Sequence, residues 1–91
     1  MLILRWGAQA LEELDNLTDY IGERNQSAAD ALVERIESCA ERLTQFPDMH
    51  RAGRVPGTRE AVINPNYILV YRVTVDTVEI VNLMHTRQRY P

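Results

Sequence analysis

The 91-residue chain is long enough for one domain with a single core, so we expect one domain over residues 1–91 and no separate catalytic and regulatory domains. Its composition, 45% hydrophobic and 25% charged, is typical of a globular domain, and its single cysteine excludes an internal disulfide, which favours the cytoplasm. The net charge of −3 disfavours strong direct binding to nucleic acid, and the lack of a long apolar run predicts no membrane-spanning helix or signal peptide.

The first half of the chain predicts a strand and a helical hairpin. The apolar run "LILRW" at residues 2–6 predicts a strand that ends at Gly7. Apolar residues then recur every three or four positions over residues 8–24 and again over residues 29–46, which predicts two amphipathic helices. Asn25 or Ser27 caps the second helix and Pro47 stops it. Because the break between them is short, the helices run antiparallel.

The second half of the chain predicts a sheet. Residues 47–58 are rich in turn formers and have no periodic pattern, which predicts a loop. The runs "REAVI", "YILVYRV" and "TVEIVNLMH" predict three strands in an antiparallel meander, and the middle strand, apolar on both faces, is central. The predicted fold class is α+β, with the order β-α-α-β-β-β and a two-helix hairpin on one face of a small antiparallel sheet.

Charge is distributed unevenly between these halves. Residues 1–46 hold nine acidic residues against four arginines, a net charge of −5, whereas residues 47–91 hold four acidic residues against six arginines, a net charge of +2. All ten basic residues are arginine, which favours planar, bidentate or stacked contacts. The positively charged end of the chain is therefore its second half.

One group of residues in the sequence could form a functional site. Its members are Arg54, Arg59, Arg72, His85, Arg87, Arg89 and Tyr90. Because antiparallel neighbours place the start of one strand beside the end of the next, we expect several of these groups to meet at one edge of the sheet. Such a cluster would bind an anion. In RNA cleavage it would neutralise the phosphate while His85 or Tyr90 acted as acid or base.

A structural role for the same arginines is the alternative. Arg59 would pair with Glu60 or Asp48, and Arg72 would pair with Glu79 across two strands. The C-terminal residues would then be solvated. Both interpretations stay open at this point.

Metal binding and nucleophilic catalysis have little support in the sequence. His50 and His85 have no cysteine or aspartate at metal-ligand spacing, and Cys39 lies on or beside the apolar stripe of the second helix, as a buried thiol would. We therefore expect no metal and no cofactor. Tyr67 and Tyr71 are predicted core anchors whose hydroxyl groups could contact a partner at the rim of the sheet.

Several short motifs together resemble one known family. The chain carries "A-x-x-L-E-E-L-D-N-L-x-D-Y-I", then "R-N-Q-S-A-A", a helix that ends in "FP", a "GTRE" entry to a strand, a "YILVYRV" strand and an "H-x-R-Q-x-Y-P" ending. Their order and spacing resemble the RelE/ParE family of type II toxin–antitoxin toxins over essentially the whole chain. The resemblance implies that Arg54, Arg59 and Glu60 order the loop between hairpin and sheet, near the face where family members meet their antitoxin.

The family has two branches. RelE-like members cleave mRNA on the ribosome, whereas ParE-like members poison DNA gyrase and are not nucleases. RelE-like members typically carry lysines in the loop, an arginine directly after the tyrosine that opens the middle strand, and an arginine and a tyrosine near the C-terminus. This chain has no lysine and has Ile68 after Tyr67, although Arg87 and Tyr90 match in kind. Together with the negative net charge, these departures favour the ParE-like branch.

The resemblance therefore predicts a gyrase inhibitor that performs no catalysis. One alternative is a ribosome-dependent mRNA interferase, an endoribonuclease that would use Arg59, His85, Arg87 and Tyr90. Another is a degenerate member that is not toxic and serves as a binding subunit.

Two partners are implied, DNA gyrase and a cognate ParD-like antitoxin that forms a hetero-oligomer with the toxin. The antitoxin would lay a C-terminal segment, disordered when free, over the hairpin and the sheet and fold as it binds. The residues expected to bind the antitoxin or the target are Arg54, Arg59, Tyr67, Tyr71, Arg72, His85, Arg87, Arg89 and Tyr90.

Overall fold

The computed structural model of the chain describes residues 1–87. Two helices and five strands follow one another as β1 (Ile3–Trp6), α1 (Ala8–Gly22), α2 (Gln26–Leu43), β2 (Arg51–Ala52), β3 (Arg59–Asn64), β4 (Tyr67–Val73) and β5 (Thr77–His85). The helices form a hairpin that packs on the sheet, so the predicted α+β class and the order β-α-α-β-β-β are confirmed. Neither helix is long and apolar enough to cross a membrane.

The hairpin bends at Asn25. Its side chain accepts a hydrogen bond of 3.0 Å from the backbone N–H of Ala28, so Asn25 rather than Ser27 caps α2. The second helix ends at Leu43, three residues before the predicted end at Phe46. There the hydroxyl of Thr44 donates to the carbonyl oxygen of Glu41 at 2.7 Å, and the chain leaves the helix in a tight turn before Pro47.

The sheet has the strand order β1-β5-β4-β3-β2 and is mixed, which corrects the predicted antiparallel sheet. Strands β2 to β5 pair antiparallel, but β1 pairs parallel with β5, with Ile3 opposite Thr77. The chain reaches β5 from β1 only through both helices and three strands, so no tight turn sets the relative direction of these two strands.

The region predicted as a loop contains the short strand β2, and this is a second correction. Arg51 lies opposite Glu60 and Ala52 lies opposite Arg59, so β2 and the start of β3 form a hairpin. Its turn closes with a 2.7 Å hydrogen bond from the N–H of Gly53 to the carbonyl oxygen of Thr58. Glycine is required at residue 53, because a Cβ there would overlap the Thr58 hydroxyl.

The core lies between the hairpin and one face of the sheet. Its buried residues are Ala10, Ile36, Ala40 and Leu43 from the helices and Ala61, Ile63, Leu69, Tyr71, Val78, Ile80 and Leu83 from the strands. On β4, Leu69 and Tyr71 belong to this core, whereas Ile68 and Val70 form a second buried cluster with Met84. The prediction that the middle strand is central and buried on both faces is confirmed.

Candidate binding surfaces

Glu60 anchors the β2–β3 hairpin from within the protein. Its side chain is only 3% exposed, and its Oε1 accepts a 3.0 Å hydrogen bond from Nε of Arg51. A terminal guanidinium nitrogen of Arg51 lies 2.9 Å from the same oxygen. Nε of Arg54 lies 3.7 Å from Glu60 Oε2. A buried carboxylate needs such partners, because removing a charge from water without compensation costs several kcal/mol. The pairs therefore fasten β2 and the following turn to β3.

Arg59 holds the segment that precedes β2. One of its guanidinium nitrogens donates to the carbonyl oxygen of His50 at 2.7 Å, and the other lies 3.5 Å from Oδ1 of Asp48. Arg59 therefore pairs with Asp48, one of the two partners that the structural alternative named. We refer to Arg51, Arg54 and Arg59 as the anchored arginines, since all three pair with carboxylates of the chain itself.

Tyr71 supports the same segment from the neighbouring strand. It lies opposite Arg59, and its hydroxyl donates to the carbonyl oxygen of Pro47 at 2.7 Å. The His50 ring meets the Tyr71 ring edge-on, with centroids 6.2 Å apart. Burial raises the pKa of Tyr71, and burial together with the charges of Arg42 and Arg59 lowers the pKa of His50. Arg59 and Tyr71 thus fix residues 47–50 against the sheet.

Arg72 lies on the opposite face of β4 from Tyr71. Its guanidinium is 4.0 Å from a carboxylate oxygen of Glu79, the residue directly across from it on β5. This cross-strand pair is the structural alternative proposed from the sequence. Both side chains are partly exposed, so the pair contributes little to stability.

His85 and Tyr67 lie at the other end of the sheet. They face each other across β4 and β5, with ring centroids 5.3 Å apart, and Nδ1 of His85 accepts a hydrogen bond of 3.0 Å from the N–H of Arg87. Glu13 of α1 closes the same cleft, because its Oε1 accepts a 3.0 Å hydrogen bond from the N–H of Leu83. This cleft carries a carboxylate, an imidazole and a phenol within one small volume of about 280 Å³.

The predicted cluster would bring Arg59 and His85 together, and among residues 1–87 they do not meet, so that part of the expectation was wrong. Arg59 lies opposite Tyr71 and His85 lies opposite Tyr67, so they are four residues, roughly 13 Å, apart along β4. Because β5 runs antiparallel to β4, its end lies at the start of β4, whereas the start of β3 lies at the end of β4. Arg89 and Tyr90 lie outside the described residues.

The sequence analysis missed a groove between α2 and β3. It is lined by Arg35, Ser38, Cys39, Arg42, Met49, His50, Val62 and Ile63, and we call it the α2–β3 groove. Its volume is about 240 Å³. The pKa of the Cys39 thiol is raised, because the effect of burial exceeds the opposing effect of the Arg42 charge. The groove therefore combines apolar side chains with two guanidinium groups on one rim.

We refer to Arg35 and Arg42 as the groove arginines. Both side chains are exposed, and neither forms an ion pair or side-chain hydrogen bond with another part of residues 1–87. A signal for them was present in the sequence, because neither has an acidic residue three or four positions away on the helix. These two arginines were not singled out because residues 1–46 have a net charge of −5.

Comparisons with known proteins agree with this fold. A family model described as "ParE toxin of type II toxin-antitoxin system, parDE" matches residues 4–90. A relative from Sinorhizobium fredii, named toxin Y4kP, is 38% identical over 97% of this chain and 92% of its own. The relative named toxin RelE2 from Caulobacter vibrioides is 32% identical over 88% of this chain and 90% of its own.

Two solved structures show the same fold at low identity. A chain of the chromosomal ParDE toxin–antitoxin system from P. aeruginosa superposes with a TM-score of 0.81 at 21% identity, over 93% of this chain and 96% of that one. The YoeB dimer from Staphylococcus aureus gives a TM-score of 0.66 at 17% identity, over 98% of both chains. The fold of this chain is therefore that of the ParDE and YoeB structures.

Proposed function

Since the chain belongs to the ParE toxin family of type II toxin–antitoxin systems, we propose that it inhibits DNA gyrase, blocks replication and is neutralised by a cognate antitoxin. One observation supports the choice of gyrase over RNA. Arg54, Arg59 and Arg72, three arginines of the expected anion-binding cluster, already pair with the chain's own carboxylates and are therefore less available to a scissile phosphate. The net charge of −3 also disfavours approach to the ribosome, a dense polyanion.

The proposed mechanism is binding rather than chemistry. The toxin would bind gyrase on cleaved DNA and hold that state, so that the broken strands are not resealed. The surface around Tyr67, His85 and Arg87 is the candidate contact, because it presents aromatic and polar groups where β5 ends. Aromatic residues and arginine are enriched at the points of an interface that contribute most to affinity.

A supercoiling reaction tests this proposal. Purified toxin, freed of antitoxin, is titrated into gyrase with relaxed plasmid DNA and ATP, and both lost supercoiling and trapped double-strand breaks are scored. We expect inhibition with trapped breaks, and weaker inhibition by Arg87→Ala. Arg24→Ala is the matched control, since Arg24 lies at the hairpin bend, stacked over the Tyr20 ring at 4.0 Å. Normal supercoiling at a large excess of folded toxin would contradict the proposal.

The second candidate function is ribosome-dependent mRNA cleavage. Two relatives bear the names toxin RelE2 and toxin RelE3, and the cleft that holds Glu13, Tyr67 and His85 carries groups that could act as acid and base. A translating-ribosome assay that follows mRNA cleavage distinguishes this candidate. Cleavage that disappears in His85→Ala would favour the nuclease over the gyrase inhibitor, and unimpeded growth on expression without antitoxin would favour a non-toxic binding subunit.

A further inference from the structure

The second half of β5 has a neighbouring strand on only one side. β1 pairs with β5 only as far as Trp6 opposite Ile80, and the chain then enters α1. β5 continues to His85, and in the part of the chain that the structure describes no strand lies beside residues 81–85 on the side away from β4. A strand edge of this kind leaves backbone N–H and C=O groups without a ladder partner. Another part of the molecule must bond to them, or water must.

Glu13 of α1 takes the place of the missing strand. Its Oε1 accepts a 3.0 Å hydrogen bond from the backbone N–H of Leu83, and the side-chain amide of Asn82 donates to the same carboxylate at 3.2 and 3.4 Å. Because the Leu83 N–H donates to Glu13, it points away from β4 and lies on the open edge. Hydrogen bonds to an ionised acceptor are stronger than those between neutral groups. We call Glu13, Asn82 and Leu83 the edge clamp.

The edge clamp lies next to an irregularity in β5. Tyr71 lies opposite Ile80 but Val70 lies opposite Asn82, so Val81 is an extra residue in the strand. Such a bulge bends a strand and interrupts its ladder, and a slip by one residue would exchange the faces of all residues that follow. Because β1 ends before this point, the direction of the rest of β5 depends on β4 and on the edge clamp.

The residues that follow the edge clamp carry the surface proposed above to contact gyrase. His85, two residues after Leu83, faces Tyr67 with ring centroids 5.3 Å apart, and the N–H of Arg87 donates to Nδ1 of His85 at 3.0 Å. Glu13 lines the same cleft as both rings. The position of the His85 ring is therefore set by the end of β5, and the edge clamp ties that end to α1.

We propose that Glu13 is a positioning residue of this contact surface: by binding the backbone of Leu83 it fixes the end of β5, so that Tyr67 and His85 present one arrangement to gyrase. This inference rests on the proposed function for the identity of the target. A surface that is fixed before binding loses less conformational entropy when the complex forms, and its affinity is higher for that reason. The carboxylate of Glu13 acts through Leu83 and does not itself contact gyrase.

Three variants separate the hydrogen bond of Glu13 from its charge. Glu13→Gln keeps an acceptor oxygen for the Leu83 N–H and removes the charge, whereas Glu13→Ala removes both. Glu12→Ala is the matched control, because Glu12 is the exposed neighbour of Glu13 on α1. Each variant is titrated into the gyrase supercoiling reaction, and its concentration is expressed as folded toxin, with the folded fraction measured by circular dichroism.

Glutamine should rescue what alanine loses. We expect Glu13→Ala to raise the concentration needed for half-maximal inhibition by about tenfold, and Glu13→Gln and Glu12→Ala to stay within about threefold of the wild type. Inhibition by Glu13→Ala within about threefold of the wild type would overturn the proposal. Glu13→Gln as weak as Glu13→Ala would also overturn it, because the charge rather than the hydrogen bond would then matter to the target.

Nuclear magnetic resonance of the free toxin tests the edge clamp without gyrase. In Glu13→Ala the Leu83 amide should exchange with solvent at least about tenfold faster, and the proton contacts between the Tyr67 and His85 rings should weaken, while Glu13→Gln keeps both as in the wild type. The amide of Ala61, a fully buried residue of β3, reports any global loss of stability. Wild-type exchange at Leu83 in Glu13→Ala would overturn the edge clamp.

The two measurements separate this inference from the proposed function. If the folded wild type inhibits gyrase and Glu13→Ala inhibits it equally, the proposed function stands and the positioning role fails. If the folded wild type leaves supercoiling unaffected, the proposed function fails and the role of Glu13 toward gyrase fails with it, whatever the exchange of the Leu83 amide shows.

Discussion

The anchored arginines and the groove arginines are the same residue type in two opposite situations. Arg51, Arg54 and Arg59 each pair with a carboxylate of this chain, and together they hold the β2–β3 hairpin and the segment before it. Arg35 and Arg42 lie exposed on α2 and pair with none within residues 1–87. The first set stabilises the fold, and the second set has binding capacity left for a partner. Whether an arginine serves the fold or is available for binding therefore depends on its partners and not on its residue type.

Removing Glu60 should give the largest effect on stability. Glu60→Ala deletes the buried carboxylate that Arg51 and Arg54 share, and we expect the free energy of unfolding to fall by about 2 kcal/mol, as for a lost hydrogen bond to a charged group. The value lies below that of a fully buried pair because water can solvate the partly exposed arginines that remain. Urea denaturation of the wild type and Glu60→Ala measures this change in the free energy of unfolding.

The matched controls for Glu60→Ala are Arg35→Ala and Arg42→Ala. Because their side chains pair with nothing in residues 1–87, each should change the free energy of unfolding by less than about 0.5 kcal/mol. Equal losses of stability in the two groups would remove the distinction between anchored and groove arginines.

Tyr71→Phe should give an intermediate effect. It removes the hydroxyl that donates to Pro47 while keeping the ring in the core, so we expect a loss of about 1 kcal/mol in the free energy of unfolding. Amides of residues 47–50 should also exchange faster, since Arg59 alone would then hold that segment. Unaltered exchange there would mean that Arg59 suffices and that the tyrosine only fills the core.

The smallest expected effect is the pH dependence contributed by His50. Its pKa is lowered from 6.5 by burial first and then by the charges of Arg42 and Arg59. The unfolded chain therefore takes up this proton before the folded chain does as the pH falls. Well above pH 6.5 both states are neutral at this residue and it does not affect stability, whereas stability declines as the pH falls through 6.5 toward the folded pKa.

His50→Gln isolates that contribution from the carboxylates that also titrate at low pH. We expect thermal unfolding midpoints of the wild type to fall more steeply than those of the variant between about pH 7 and pH 5. Parallel curves for the two proteins would show that His50 titrates alike in the folded and unfolded chain.

Local patterns predicted the elements and the central strand. Alternation along β4 placed Leu69 and Tyr71 on one face and Ile68 and Val70 on the other, as the two buried clusters confirm. The structural pairs Arg59–Asp48 and Arg72–Glu79 were also among the alternatives. Arg72 and Glu79 are cross-strand neighbours, whereas Asp48 lies in the segment before β2.

Strand pairing and packing between segments far apart in the sequence could not be predicted from local patterns. Nothing near β1 specifies its parallel pairing with β5, and register shifts at Val62/Asn64 and at Val70/Tyr71 alter which residues face each other. A register shift moves side chains relative to their neighbours without any change in the apolar pattern. The expected meeting of Arg59 with His85 failed because the antiparallel strands place these residues at opposite ends of β4. The α2–β3 groove was missed because its two sides, α2 and β3, are far apart in the sequence.

Supercoiling by gyrase in the presence of toxin, with and without equimolar antitoxin, is the most direct test. The wild type should inhibit supercoiling and trap double-strand breaks, and equimolar antitoxin should restore supercoiling. Full supercoiling in the presence of excess folded wild-type toxin without antitoxin would contradict the assignment of this chain as a gyrase inhibitor.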